Sequence, residues 1–135
     1  MTKRHTIPVN LPESLIRQLQ KALFNLKVDK DLPASLQNFF QFICESFVTR
    51  DEIKAGFQRF LEAPQSSKEA TKMMIIRIEP KLDSLFRIEI ARIMVERGHK
   101  VLIKDFFLWA TPYFLNSETE MQSFQDFLIR ASAKS

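Results

Sequence analysis

The sequence predicts a mainly α-helical domain carrying one two-stranded antiparallel β-ribbon, assembled from two copies of a strand-helix-helix-helix unit. Three observations predict it. The chain aligns with itself, two short segments alternate in polarity, and the stretches after them carry apolar residues three and four apart. A shift of 67 residues, which carries Phe57 onto Phe124, aligns the halves without a gap. It matches Phe39-Phe40 with Phe106-Phe107, Phe47 with Phe114, and Phe57-Gln58-Arg59-Phe60-Leu61 with Phe124-Gln125-Asp126-Phe127-Leu128. Of 13 phenylalanines, ten fall into five such pairs, where random placement gives about 0.6 of a pair. A shared helical period would align the apolar columns Leu15/Leu82, Leu19/Phe86, Leu23/Ile90, Leu26/Ile93 and Leu36/Ile103, but not five phenylalanine pairs at one offset.

The first element of each unit is a short strand. Over Thr6 to Leu11, Ile7, Val9 and Leu11 share one side and Thr6, Pro8 and Asn10 the other; the copy places Met74, Ile76 and Ile78 against Met73, Ile75 and Arg77. Pro12 and Pro80 close the strands and favour a helix start. The first helix carries Leu15, Leu19, Leu23 and Leu26, or Leu82, Phe86, Ile90 and Ile93, as a stripe for a core. A break is expected at Asp29-Lys30-Asp31 and at Gly98-His99, Gly98 suiting the left-handed position after a helix. The second helix should begin near Pro33 and Lys100 and hold the phenylalanine pairs, with Pro112 bending or ending it in the second copy. The third helix spans about 51–62 and 118–130.

These boundaries give one domain over 1–135, made of a first unit at 6–62, a small polar linker at 63–72 and a second unit at 73–130. A 45% hydrophobic content suffices for a core at this length. The lone Cys44 allows no internal disulfide and no His/Cys group has zinc spacing, so no metal or other cofactor is expected. With no run of eighteen apolar residues and no leader-like core after Met1, a cytoplasmic, non-membrane protein is expected. Having only Gly56 and Gly98, the chain lacks the glycine-rich loops of P-loop and dinucleotide-binding enzymes. A net charge of +4 is a mild excess, compatible with polyanions.

A six-residue strand leaves its amide and carbonyl groups unpaired unless another strand meets it. The only comparable segment is the copy, so residues 6–11 should pair antiparallel with 73–78, their apolar sides over the helices. Strand, proline, apolar-striped helix, turn and second helix together resemble the ribbon-helix-helix family. The clearest copy runs from Ile75-Ile76-Arg77-Ile78-Glu79-Pro80 to Gly98-His99-Lys100-Val101-Leu102-Ile103-Lys104. The resemblance covers about 6–48 and 73–115; the third helix lies outside it.

The resemblance implies an intramolecular pseudo-dimer in which the ribbon enters the major groove of double-stranded DNA. The base-reading residues would be Thr6, Pro8, Asn10, Met73, Ile75 and Arg77: Arg77 suits guanine, Asn10 adenine, and the apolar members thymine methyls. Phosphates would be held at the start of the second helix by Ala34, Ser35, Lys100 and Val101, helped by His99, Lys30 and Lys72 and by the arm Lys3-Arg4-His5. Because the copies differ, the target need not be palindromic. The implied roles are a transcriptional regulator or a plasmid-transfer or maintenance accessory factor, with a relaxase as a protein partner and side-by-side assembly on DNA. No catalytic residue is expected, since Cys44 lies among Phe42, Ile43 and Phe47 and neither histidine has an evident partner. The rival reading is a helical adaptor that binds protein instead of DNA.

Overall fold

The computed structural model describes residues 5–63 and 70–133, and within them the elements run β1 (His5–Pro12), α1 (Glu13–Lys30), α2 (Leu36–Thr49), α3 (Asp51–Glu62), β2 (Thr71–Ile78), α4 (Pro80–Arg97), α5 (Ile103–Leu115) and α6 (Glu118–Ala133). Strand and three helices thus occur twice in that order. β1 and β2 pair antiparallel, from His5 opposite Ile78 to Pro12 opposite Thr71. Each strand is longer than the alternation indicated, and Thr71 and Lys72 belong to β2, not to the linker. Pro8 lies opposite Ile75, its own counterpart under the shift of 67. That pair is therefore the centre about which one strand maps onto the other. A two-stranded ribbon is all edge, which tolerates Pro8 where its missing N–H would face away from the partner strand.

The helix ends repeat as well. α1 and α4 are both 18 residues long and start and stop at matching positions. Pro12 precedes the first, whereas Glu79 precedes the second and Pro80 takes its first position, where a missing N–H costs nothing. Both end on a left-handed residue, Asp31 (φ 52°) and Gly98 (φ 70°). Asp29 and Lys30, expected in the break, instead form the last turn of α1. The second helices begin three residues later than expected. Ser35 stands outside α2 and its Oγ accepts from the Asn38 N–H at 3.1 Å, and Leu102 holds the equivalent place before α5. α5 continues through Pro112 to Leu115, since a proline so near the end removes only one ladder bond.

The inward side of the ribbon, Ile7, Val9, Leu11, Ile76 and Ile78, is buried on the helices. α5 packs against β1 and α2 against β2, so the second helix of each unit lies under the other unit's strand. The aromatic core carries the same crossed pattern. Phe39 meets Phe124 edge to face at 5.3 Å, and Phe106 meets Phe57 at 5.4 Å. Phe57 stacks beside Phe60 at 6.5 Å and Phe124 beside Phe127 at 6.3 Å. Phe40 touches its own counterpart Phe107 at 5.6 Å. The third helices α3 and α6 thus lock onto the second helix of the opposite unit, and neither half buries its phenylalanines alone. Trp109, a packing residue as its match to Phe42 implied, lies over Gly56, where an added Cβ would come within 2.7 Å of its ring.

Among the described residues two charged ties join the units: Lys54 lies 3.8 Å from Glu89 of α4, and Arg50 makes the closer one. Arg50, between α2 and α3, donates from both terminal nitrogens to the carboxylate of Glu120 on α6, at 2.7 and 2.8 Å, and also to Glu52. Cys44 is fully buried; burial foremost, then the nearby Asp83 carboxylate, pushes its thiol well above the ordinary range. No described helix is long and apolar enough to cross a membrane.

Candidate nucleic-acid interface

Alternation along β1 and β2 sends every second residue away from the helices, and on that side the ribbon is open over Thr6, Pro8 and the outward residues of 71–77 and closes along β1 through half-buried Asn10 to buried Pro12. Thr6, Pro8, Met73, Ile75 and Arg77 are exposed and Asn10 is half-buried. The register sets them in three cross-strand pairs: Thr6 opposite Arg77, Pro8 opposite Ile75 and Asn10 opposite Met73. All six residues read from the sequence as outward therefore form one small surface. Its ends differ. One offers a hydroxyl and a guanidinium, the centre only hydrocarbon, and the other an amide beside a thioether. Met73 and Ile75 are 59% and 58% exposed, unusual for large apolar side chains.

Cross-strand neighbours project to the same side, so Lys72, opposite the buried Leu11, belongs to the helix-facing side of the ribbon. There it lines a groove with Glu13, Ile16, Arg17 and Gln20 of α1. Arg17 was not singled out in the sequence, because a charge on the outer face of an amphipathic helix looks like any solvated residue. Thr71 was also missed; it is exposed and continues the outward row of β2 beyond the expected strand start.

The expected phosphate contacts at the second helices are only partly brought together. Ala34 and Val101 are buried in the core, and the Ala34 N–H donates to the Leu32 carbonyl at 2.8 Å. Ser35 is half-buried with its hydroxyl oxygen capping α2. Because the helices start later, their first-turn amides belong to Leu36 and Gln37 and to Ile103 and Lys104. Lys30, His99 and Lys100 are exposed, Lys30 at the end of α1 and the other two in the connection before α5. Lys3 and Arg4 lie outside the described residues, and of His5 only the backbone is described.

Ion pairs take up part of the charge of the helical body. Arg50 pairs with Glu52 and Glu120, Arg87 with Asp83, and Arg92 and Lys54 with Glu89, all on the helical body. Among the described residues Arg77, Arg17, Lys72 and Lys100 have no ion-pair partner within 4.0 Å, a state they share with Lys21, Lys27, Arg59, Lys81 and Lys104 of the helices, and Arg17 and Lys72 have the Glu13 carboxylate in their groove. Among the described residues no three His, Cys, Asp or Glu side chains gather into a metal-sized group. No protein-family model, no curated protein and no solved structure matches the chain.

Proposed function

We propose that the chain is an intramolecular pseudo-dimer of ribbon-helix-helix units, each with an added third helix, that binds double-stranded DNA by laying its ribbon in the major groove. The observation that carries this is the outer face of a two-stranded ribbon on which exposed Arg77 and Thr6 and half-buried Asn10 lie in one row, Arg77 having no ion-pair partner among the described residues. The major groove admits a two-stranded ribbon, and these three side chains have the donors and acceptors that base edges answer. Phosphate contacts come from Lys30, His99 and Lys100, from Arg17 and Lys72 along the ribbon's flank, and from the first-turn amides of α2 and α5. On the strength of the resemblance, the proposed role is that of a transcriptional regulator or a plasmid-transfer or maintenance accessory factor.

The test is duplex binding followed by fluorescence anisotropy across a salt series. Affinity should fall steeply with salt, by about 0.9 in log–log slope for each phosphate neutralised. Arg77→Ala should weaken the preferred duplex by about ten-fold or more, the discrimination of one bidentate base contact. No saturable binding at low salt would refute the proposal.

A second reading has its own support. α4 exposes Leu85, Ile88 and Val95 along one face and the ribbon exposes Met73 and Ile75 on its outer side, two apolar patches of the kind that suits a protein partner. An adaptor of this kind would bind without the salt dependence and without regard to Arg77.

A further inference from the structure

The order of chemistry along the ribbon restricts which duplex it fits. The three cross-strand pairs are spaced two residues apart, about 6.6 Å, which matches two base-pair rises of about 3.4 Å. The pairs therefore sample a short target at one end, in the middle, and at the other end. The middle pair, Pro8 and Ile75, is the centre of the ribbon's symmetry, and neither side chain has a donor or an acceptor. Placed over the edge of guanine, cytosine or adenine, they would strip water from groups they cannot satisfy. The thymine C5-methyl is the one major-groove feature that hydrocarbon meets without that loss.

The two ends are unlike each other. Arg77 with Thr6 offers a fork of donors and a hydroxyl, which suit guanine O6 and N7. Asn10 with Met73 offers an amide, which suits adenine N6 and N7, beside an apolar chain for a neighbouring thymine methyl. Asn10 and Arg77 occupy equivalent places in the two units, as do Thr6 and Met73, so the face cannot present the same chemistry to both halves of a palindrome.

Resting on the DNA-binding reading above, the geometry points to a directional target: a thymine-bearing step at the centre, read through its methyl groups by Ile75 and Pro8, with guanine about two base pairs to the Arg77 side and an adenine-thymine pair about two base pairs to the Asn10 side. The asymmetry fixes the orientation in which the protein sits, and with it the direction in which it presents α3, α4 and α6 along the DNA.

The test begins with selection of bound fragments from a duplex pool with a randomised core, using the full chain. The enriched duplex is then compared with versions in which deoxyuridine replaces deoxythymidine at the centre or outside the core, which removes only the methyl group. Central replacement should weaken binding by about four-fold for each methyl lost, the effect of one buried methyl group, while replacement outside the core should change nothing. Ile75→Ser, at an exposed position, should narrow the difference between the thymine and uracil duplexes to what Pro8 alone sustains, and circular dichroism checks that it is folded. Enrichment of a palindrome or of a G·C centre, or equal binding of the two duplexes by the unaltered protein, would overturn the inference while leaving DNA binding intact. If no duplex is enriched, or if the ribbon instead joins two copies of the chain in a dimer that Ile75→Ser dissociates, the DNA-binding reading itself fails.

Discussion

Removing the cation of the Arg50–Glu120 pair should cost far more than removing the anion. The Glu120 side chain is 5% exposed and is held by both terminal nitrogens of Arg50, whose own side chain is 32% exposed. Arg50→Ala would leave a carboxylate enclosed by α6 and the α2–α3 corner with its main partner gone. Breaking a buried pair in this way costs about 3–5 kcal/mol. Since water reaches the arginine side, a loss of about 2–3 kcal/mol is expected here. Glu120→Ile is different. Arg50 would keep Glu52 and solvent, and the matching position of the first unit is already an isoleucine, Ile53, fully buried. That variant should stay within about 1 kcal/mol of the parent. For a chain of this length 1 kcal/mol moves the melting temperature by about 3–4 °C, so Arg50→Ala should melt about 7–10 °C lower and Glu120→Ile within about 4 °C. Urea and thermal unfolding followed by far-ultraviolet circular dichroism read both. Equal losses in the two variants, or a loss below about 1 kcal/mol for Arg50→Ala, would refute the claim that the carboxylate depends on this arginine.

Two other predictions follow from the core. Gly56→Ala sets a methyl group against the Trp109 ring at 2.7 Å; an overpacking cost of about 1–3 kcal/mol outweighs a helix-propensity gain of about 1 kcal/mol, for a net loss of about 1 kcal/mol in urea unfolding that Trp109→Phe in the same chain should largely restore. Cys44 gives a pH dependence. Its thiol is raised by burial, then by Asp83, so the unfolded chain loses this proton near an ordinary thiol value of about 8.5 while the folded chain keeps it. Stability from this group is complete below that value and is lost as pH rises above it, by up to about 1.4 kcal/mol per pH unit. Cys44→Ala should flatten that slope, and native protein at pH 8 should resist thiol reagents until denaturant is added; rapid native labelling would contradict the burial.

Much of the fold is legible in the sequence because it depends on period and repetition. Alternation told inward Ile7, Val9 and Leu11 from outward Thr6, Pro8 and Asn10, and spacings of three and four located Leu19, Leu23 and Leu26 in the core. Which element covers which face is not written in any local period. Nothing near Phe57 signals that it will meet Phe106, and nothing near Arg50 signals an acid 70 residues further on. The candidate site divides in the same way. Its outward row follows from strand alternation, whereas the expected phosphate contacts at Ala34 and Val101 rested on helix starts placed three residues too early. The correct starts depend on the Ser35 cap and on the packing of these two residues into the core. Arg17 stayed hidden because its importance comes from Lys72, which approaches it only once β2 lies beside β1.

Joining both units in one chain changes what each position can become. In a symmetric pair of identical chains a substitution enters at two places, so a larger ring at one helix contact enlarges its mate and must be accommodated twice. Here Trp109 faces Gly56, while at the matching places of the other unit stand Phe42 and Ser123: the larger ring has the smaller neighbour, and the smaller ring the larger one. Ile53 and Glu120 divide in the same manner, the acid appearing only where Arg50 reaches it. The outer row of the ribbon follows the same logic with a different result. Of its divergent pairs, Asn10 with Arg77 and Thr6 with Met73, all but half-buried Asn10 are exposed and so little constrained by packing. Differences in the core are balanced by their neighbours inside the molecule, whereas the ribbon's outward differences are not, so under the proposed DNA binding they would meet a target that is asymmetric as well.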